Sequence, residues 1–238
     1  MDPIKKAKRR NNKKQAIIHC AMGLIAESGI DSVTTVELAH RLTLTPGALY
    51  RYFDSKDHIL GAVQLEVIHG LSESLQSTAD ALAGFQPLAQ VVGLLEAYRM
   101  FESHRPARYR VLSYFLSTPD QVLPDDIAQS VVEPTRVLFR VLASALAGAG
   151  ESKELSSGED PVLGAMILWS AIHGVLERKK MVRMGLFFDI DKFFESTARA
   201  VLLGWGASAE QLDDIYTRQM PALRETCLQN LGGSDDNL

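Results

Sequence analysis

Two helix start signals in close succession, Thr34 and Thr45-Pro46, restrict this chain more than any other feature. Thr34-Thr35-Val36-Glu37 has the form of a capping box, in which a hydroxyl satisfies the amide of the third helical residue and that residue's carboxylate reaches back. Pro46 suits a first helical position, where its missing N–H is not needed and its fixed φ is already helical. The first of these helices then ends near Arg41, and a turn of about three residues leads to a second short helix ending near Tyr52. A helix over 15–29 precedes them, with Ile17, Ala21, Leu24 and Ile25 on one face and Gly29 as its stop. A long helix follows, capped by Asp54 or Ser55 and carrying Ile59, Leu60, Val63, Val67, Leu71 and Leu75 on its apolar side. Two short helices and a turn inside a three-helix cluster form a helix-turn-helix.

The rest of the chain keeps the helical period and has no β-branched alternating run, so the fold expected is all-α: an N-terminal three-helix helix-turn-helix domain plus a C-terminal helical bundle. Breaks fall near 84–87, 104–106, 119–124, 148–158, 185–191 and 204–208, and Asp160-Pro161 and Ser208 read as helix starts. The expected division is a basic, flexible arm over 1–14, a helix-turn-helix domain over 15–60, and a ligand-binding and dimerisation domain over 61–232. Hydrophobic residues make up 46% and charged ones 23% of the 238, enough apolar material for a sizeable core. No apolar run reaches the roughly 18 residues of a membrane span, and no apolar stretch directly follows the charged start, so no membrane partner is expected and the cytoplasm is. Cys20 and Cys227 stand far apart, which argues against a disulfide framework or a zinc site.

Charge is unevenly placed. Residues 1–14 hold Lys5, Lys6, Lys8, Arg9, Arg10, Lys13 and Lys14 against one acid, whereas from residue 61 onward acids exceed bases by eight. A basic arm on an acidic body suits a polyanion met at one end; a solvated tail is the alternative. The second short helix can supply that meeting. A recognition helix lies in the major groove while its partner crosses the backbone. Thr45, Pro46, Gly47 and Ala48 are small enough for close approach, and Tyr50, Arg51 and Tyr52 reach for phosphates or base edges. Arginine reads guanine through two hydrogen bonds. Thr34 and Thr35 at the start of the preceding helix, and Lys56, suit phosphate contact.

No catalytic constellation, metal-ligand spacing or phosphate loop appears, so neither an enzyme nor a cofactor is expected. What the remaining helices do carry is aromatic and sulfur-bearing side chains. Tyr98, Phe101, Tyr114, Phe115, Phe139, Met166 and Trp169 are candidate lining residues for a small apolar or aromatic ligand, with Arg110 and His173 to orient it. Tyr109, Met181 and Phe187 belong to the same supply, and ordinary core packing is the alternative for each.

The run IIHCAMGLIAESGIDSVTTVELAHRLTLTPGALYRYFDSKDHIL resembles the N-terminal domain of the tetracycline-repressor (TetR) family. The resemblance implies an all-α homodimer that binds a palindromic DNA operator as a repressor, with Thr45–Tyr52 on the bases and Tyr50 and Lys56 on phosphates. It also implies an interface made by the last two long helices. The apolar segments near 161–180 and 191–206 suit that role, and Gly164, Ala165, Ala171 and Gly174 would permit close approach. One position departs from the family: Thr43 stands where glycine is usual in the turn, so either the turn is built differently or the recognition helix is set at another angle. Two other readings stay open, a DNA-binding regulator controlled by a protein partner, and a soluble carrier or enzyme of apolar small molecules.

Overall fold

The computed structural model describes residues 3–117, 123–156, 160–179, 181, 184–185 and 189–231, and every regular element among them is helical. Phe187 and parts of the expected breaks at 119–124, 148–158 and 185–191 lie outside the described residues. The helices are α1 (Pro3–Ser28), α2 (Thr35–Arg41), α3 (Pro46–Leu49), α4 (Lys56–Ala81), α5 (Pro87–His104), α6 (Pro106–Ser117), α7 (Asp125–Glu151), α8 (Pro161–Glu177), α9 (Ile190–Gly204), α10 (Ala209–Asp214) and α11 (Met220–Asn230). A π turn over Ile215–Gln219 joins the last two. Pro221 accounts for it, since its ring clashes with the carbonyl four residues back and it has no N–H to donate.

The chain forms two compact units, and they differ from the single break expected after residue 60. The first holds residues up to 70 together with 105–135, and the second holds 71–104 and 136 onward. In the first unit the apolar face of α1 is buried as Ile17, Ala21, Leu24 and Ile25, where α1 packs on α2 and α6; Leu38 and Leu49 of the short helices and Ile59 and Val63 of α4 are buried as well. Burying a leucine of this kind stabilises by roughly 2–5 kcal/mol relative to alanine. In the second unit α5 packs on α8 and α11, and α9 packs on α8.

The arm expected to be flexible is instead the first half of α1. Lysine, arginine, alanine and glutamine are good helix formers, and nothing from Ile4 to Ser28 breaks the helix, so it continues outward with Lys5 to Lys13 exposed. Lys14 lies at its root, over the Phe53 ring at 5.2 Å from the centroid.

Candidate nucleic-acid interface and ligand cavity

Local hydrogen bonds shape the interface. Thr34 has extended backbone and its hydroxyl oxygen accepts from the Glu37 amide at 3.1 Å. The reciprocal half of the capping box is not made, because the Glu37 carboxylate accepts from Arg41 at 2.8 Å instead. Arg41 also donates twice to Glu27, at 2.8 and 2.7 Å, tying α2 to the end of α1. Glu27 is thereby held below the usual carboxylate range.

The turn after α2 settles the question posed by Thr43. The Leu44 amide donates to Ala39 at 2.8 Å and the Thr43 amide to His40 at 3.2 Å, the paired bonds of a Schellman cap. Thr43 sits where such a cap normally carries glycine, and it adopts φ 53°. The turn is therefore built in the left-handed conformation despite its β-branched residue, and its threonine side chain is exposed.

That cap delivers the chain to α3. Thr45 has N-cap backbone geometry, without a side-chain bond, and Pro46 opens the helix. Regular α-helix lasts only to Leu49, shorter than expected, because the following amides tighten: Tyr52 donates to Leu49 at 2.8 Å and Arg51 to Ala48 at 3.4 Å. Leu49 anchors the segment in the core. Thr34, Thr45, Pro46, Gly47, Tyr50 and Arg51 are exposed, and Thr35, Tyr52 and Lys56 are half-buried. Ala48 is buried, so it offers little surface to a groove. A methyl group at Gly47 would meet nothing within 4 Å, so the fold itself sets no need for glycine there. Ser55, rather than Asp54, caps α4, accepting from the His58 amide at 3.3 Å.

A cavity lies within the second unit, among α4, α5, α7 and α8. Its wall is apolar, including Leu71, Leu94, Leu138 and Ile172, with the rings of Tyr98, Phe139 and Trp169. About 30 Å³ of free space remains in it. Phe139 meets Trp169 edge to face at 5.4 Å, and Trp169 stacks on His173 at 4.6 Å. The Tyr98 hydroxyl and His173 Nδ1 are hydrogen-bonded at 2.8 Å, both buried. Burial lowers the His173 pKa against the opposing pull of Glu177, and burial raises that of Tyr98, so both are uncharged near neutrality.

Residues 17–63 match the model of the bacterial regulatory proteins of the tetR family, and residues 91–201 match the tetracyclin repressor-like C-terminal domain. The chain belongs to the TetR family. It is a DNA-binding transcriptional regulator, not an enzyme. An HTH-type transcriptional regulator of Mycobacterium tuberculosis, Rv0681, is 27% identical over 178 residues, spanning 75% of this chain and 73% of its own. The fold is shared with SmeT, repressor of the multidrug efflux pump SmeDEF of Stenotrophomonas maltophilia (20% identity, TM-score 0.60, covering 81% of this chain and 89% of that one). It is shared too with Thermus thermophilus FadR, a repressor solved with lauroyl-CoA (18%, TM-score 0.59, 82% and 96%).

Set against this TetR-family frame, the sequence candidates for ligand contact scatter. Tyr98, Phe139 and Trp169 line the cavity and His173 bonds to it through Tyr98. Phe101 is buried in α5 but is not part of the wall. Arg110, Tyr114 and Phe115 belong to the first unit, where Arg110 is exposed and donates to the Pro106 carbonyl at 3.2 Å. Tyr114 and Phe115 pack on each other edge to face at 5.3 Å. Met166 is 49% exposed on α8. Sequence reasoning passed over the leucines of the wall, which carry no signal that separates a cavity from ordinary core.

The same helix corrects two of the four expected close-approach residues, while Ala171 and Gly174 are half-exposed. Gly164 and Ala165 are buried inside the second unit, Gly164 facing Leu146 and Trp205. The outward side of α8 is Val162, Leu163, Met166 and Ile167, and α9 exposes Phe193 and Leu203.

Proposed function

We propose that this regulator is a homodimeric repressor that binds a palindromic operator and leaves it when an apolar or aromatic small molecule occupies the cavity of the second unit. The observation that carries the reading is the exposed segment from Thr34 to Lys56: an anchored Leu49 beneath, and Thr45, Gly47, Tyr50 and Arg51 open above. Arg51 is assigned to a base edge, Tyr50 and Lys56 to phosphates, and Thr34, Thr35, Thr45, Pro46 and Tyr52 to the flanks of the contact. Gly47 fits the close approach, since no internal packing calls for it.

Dimerisation is supported by the apolar outward faces of α8 and α9, which a soluble monomer would leave wet. A twofold pair places two recognition segments about one DNA turn apart, roughly 34 Å. Ligand release is supported by the apolar cavity and by the FadR structure, whose ligand is an acyl thioester. The ligand acts by its differential affinity for two forms of the dimer, and a tenfold loss of operator affinity requires about 1.4 kcal/mol of such coupling. The test is a mobility shift with DNA from upstream of the chain's own coding sequence, at low salt, on protein shown to be folded. A discrete complex with one dimer per fragment is expected, and absence of any shift would defeat the reading.

A further inference from the structure

The outer half of α1 is built against the usual rules for a surface helix. From Ile4 to Ala26 it contains no acid, while Lys5, Lys6, Lys8, Arg9, Arg10 and Lys13 are all exposed. Cations are favoured near the negative, C-terminal end of a helix, and here they crowd the positive one. Lys5, Arg9 and Lys13 also stand four residues apart, so like charges face each other along one line. Among the described residues none of the six cations has a carboxylate partner. The repulsion weakens the helix with no compensation inside the fold, which marks the charge as serving an outside partner.

Two contacts within the first unit fix which way the charges point. Arg9 stands 18 residues before Glu27, about five turns of a regular helix, so the two share a face. Glu27 accepts from Arg41 of α2 at 2.8 and 2.7 Å, which turns that face toward the helix-turn-helix. About 140° further round is Lys14, held over the Phe53 ring that directly follows Tyr50, Arg51 and Tyr52. Lys6, Arg9, Arg10 and Lys13 fall in the sector between these two contacts, and Lys5 lies about 40° outside it. The far side holds Ile4, Lys8 and Asn11, which make no apolar face to enter a bilayer, so a lipid surface is the poorer match. Duplex DNA carries a charge about every 1.7 Å of its axis, and Lys5 to Lys13 span about 12 Å, enough to meet several phosphates at once.

Resting on the reading that the segment 34–56 faces DNA, we propose that the outer half of α1 is a second, rigid DNA contact. Its stripe of Lys5, Lys6, Arg9, Arg10 and Lys13 lies along the phosphate backbone beside the groove that receives Arg51. The side of the helix that the charges occupy matters, and not their number alone.

The experiment is fluorescence anisotropy of the full-length protein on upstream DNA and on a random duplex, between about 50 and 200 mM salt. Two variants are compared with the parent, each checked for unchanged melting and helical content. Arg9→Asn with Lys13→Gln removes two charges from the stripe. The same pair combined with Asn11→Arg and Gln15→Lys returns both charges about 200° round the helix, at the parent's net charge. Both variants are expected to flatten the slope of log affinity against log salt by about 1.8 per protomer bound, about 0.9 for each lost phosphate contact. The loss should be equal on the two duplexes, because phosphates carry no sequence. A rotated variant that keeps the parent's slope would overturn the proposal and leave the extension as charge without a preferred face. Losses confined to the upstream fragment would overturn the assignment to the backbone. An unchanged slope in both variants, with the parent binding its upstream fragment, would overturn the proposal while the reading beneath it stands. No binding of the parent to either duplex would overturn both.

Discussion

Replacing Thr43 with glycine should stabilise the protein, against the usual direction for a threonine-to-glycine change. Thr43 holds φ 53° at the left-handed position of a Schellman cap, and its side chain is exposed, so little packing is lost when it is removed. The left-handed conformation costs an L-residue about 1–2 kcal/mol. Glycine returns roughly 0.5–1 kcal/mol of that through its greater freedom in the unfolded chain. The net gain is about 0.5–1 kcal/mol, which raises the melting temperature of a chain this long by roughly 1–4 °C. Thr45 supplies the control. It lies two residues on, is also exposed, and has φ −85°, so glycine there relieves nothing and should lower stability by a few tenths of a kcal/mol. Scanning calorimetry of both variants beside the parent decides the matter. A Thr43→Gly protein that melts at or below the parent, or two variants shifting in the same direction, would show that the turn is not strained as described.

Gly47→Ala separates folding from recognition. The added methyl meets nothing inside the protein and removes a helix-weakening glycine, so thermal stability should hold or rise by up to about 1 kcal/mol while operator affinity falls at least tenfold, read by fluorescence anisotropy. Deleting residues 3–13 removes six exposed cations from α1 and should flatten the slope of log affinity against log salt; an unchanged slope would mark this extension as idle. Leu163→Asp together with Met166→Asp places two charges on the outward face of α8 and should shift the protein to monomer in sedimentation velocity, with retained helical content by circular dichroism.

How much of this was legible depends on whether the information was local. The stop at Gly29, the cap at Thr34 and the start at Pro46 each rest on one residue's hydrogen bonding or φ preference, and the structure has all three. The division into units was not legible, because the packing of residues 105–135 with the N-terminal region is decided by contacts distant in sequence. Nor were the faces of α8. Its sequence is apolar around most of its circumference, so the helical period vanishes from the pattern, and nothing distinguishes outward Leu163 and Met166 from inward Leu168 and Ile172. Aromatic content alone therefore pointed to Met166 as readily as to Trp169. The arm was misjudged for a related reason: a charged stretch with no apolar face lacks the amphipathic signal, yet its residues favour helix and α1 offers a turn to grow from.

The measurement that bears most directly on the account compares wild-type protein with Arg51→Ala on upstream DNA and on a random duplex of equal length and salt. Wild-type protein should prefer the upstream fragment, and the variant should lose about 1–3 kcal/mol on that fragment alone. Folded wild-type protein that binds both duplexes equally, or a variant with undiminished preference, would mean that the segment carrying Arg51 does not read sequence.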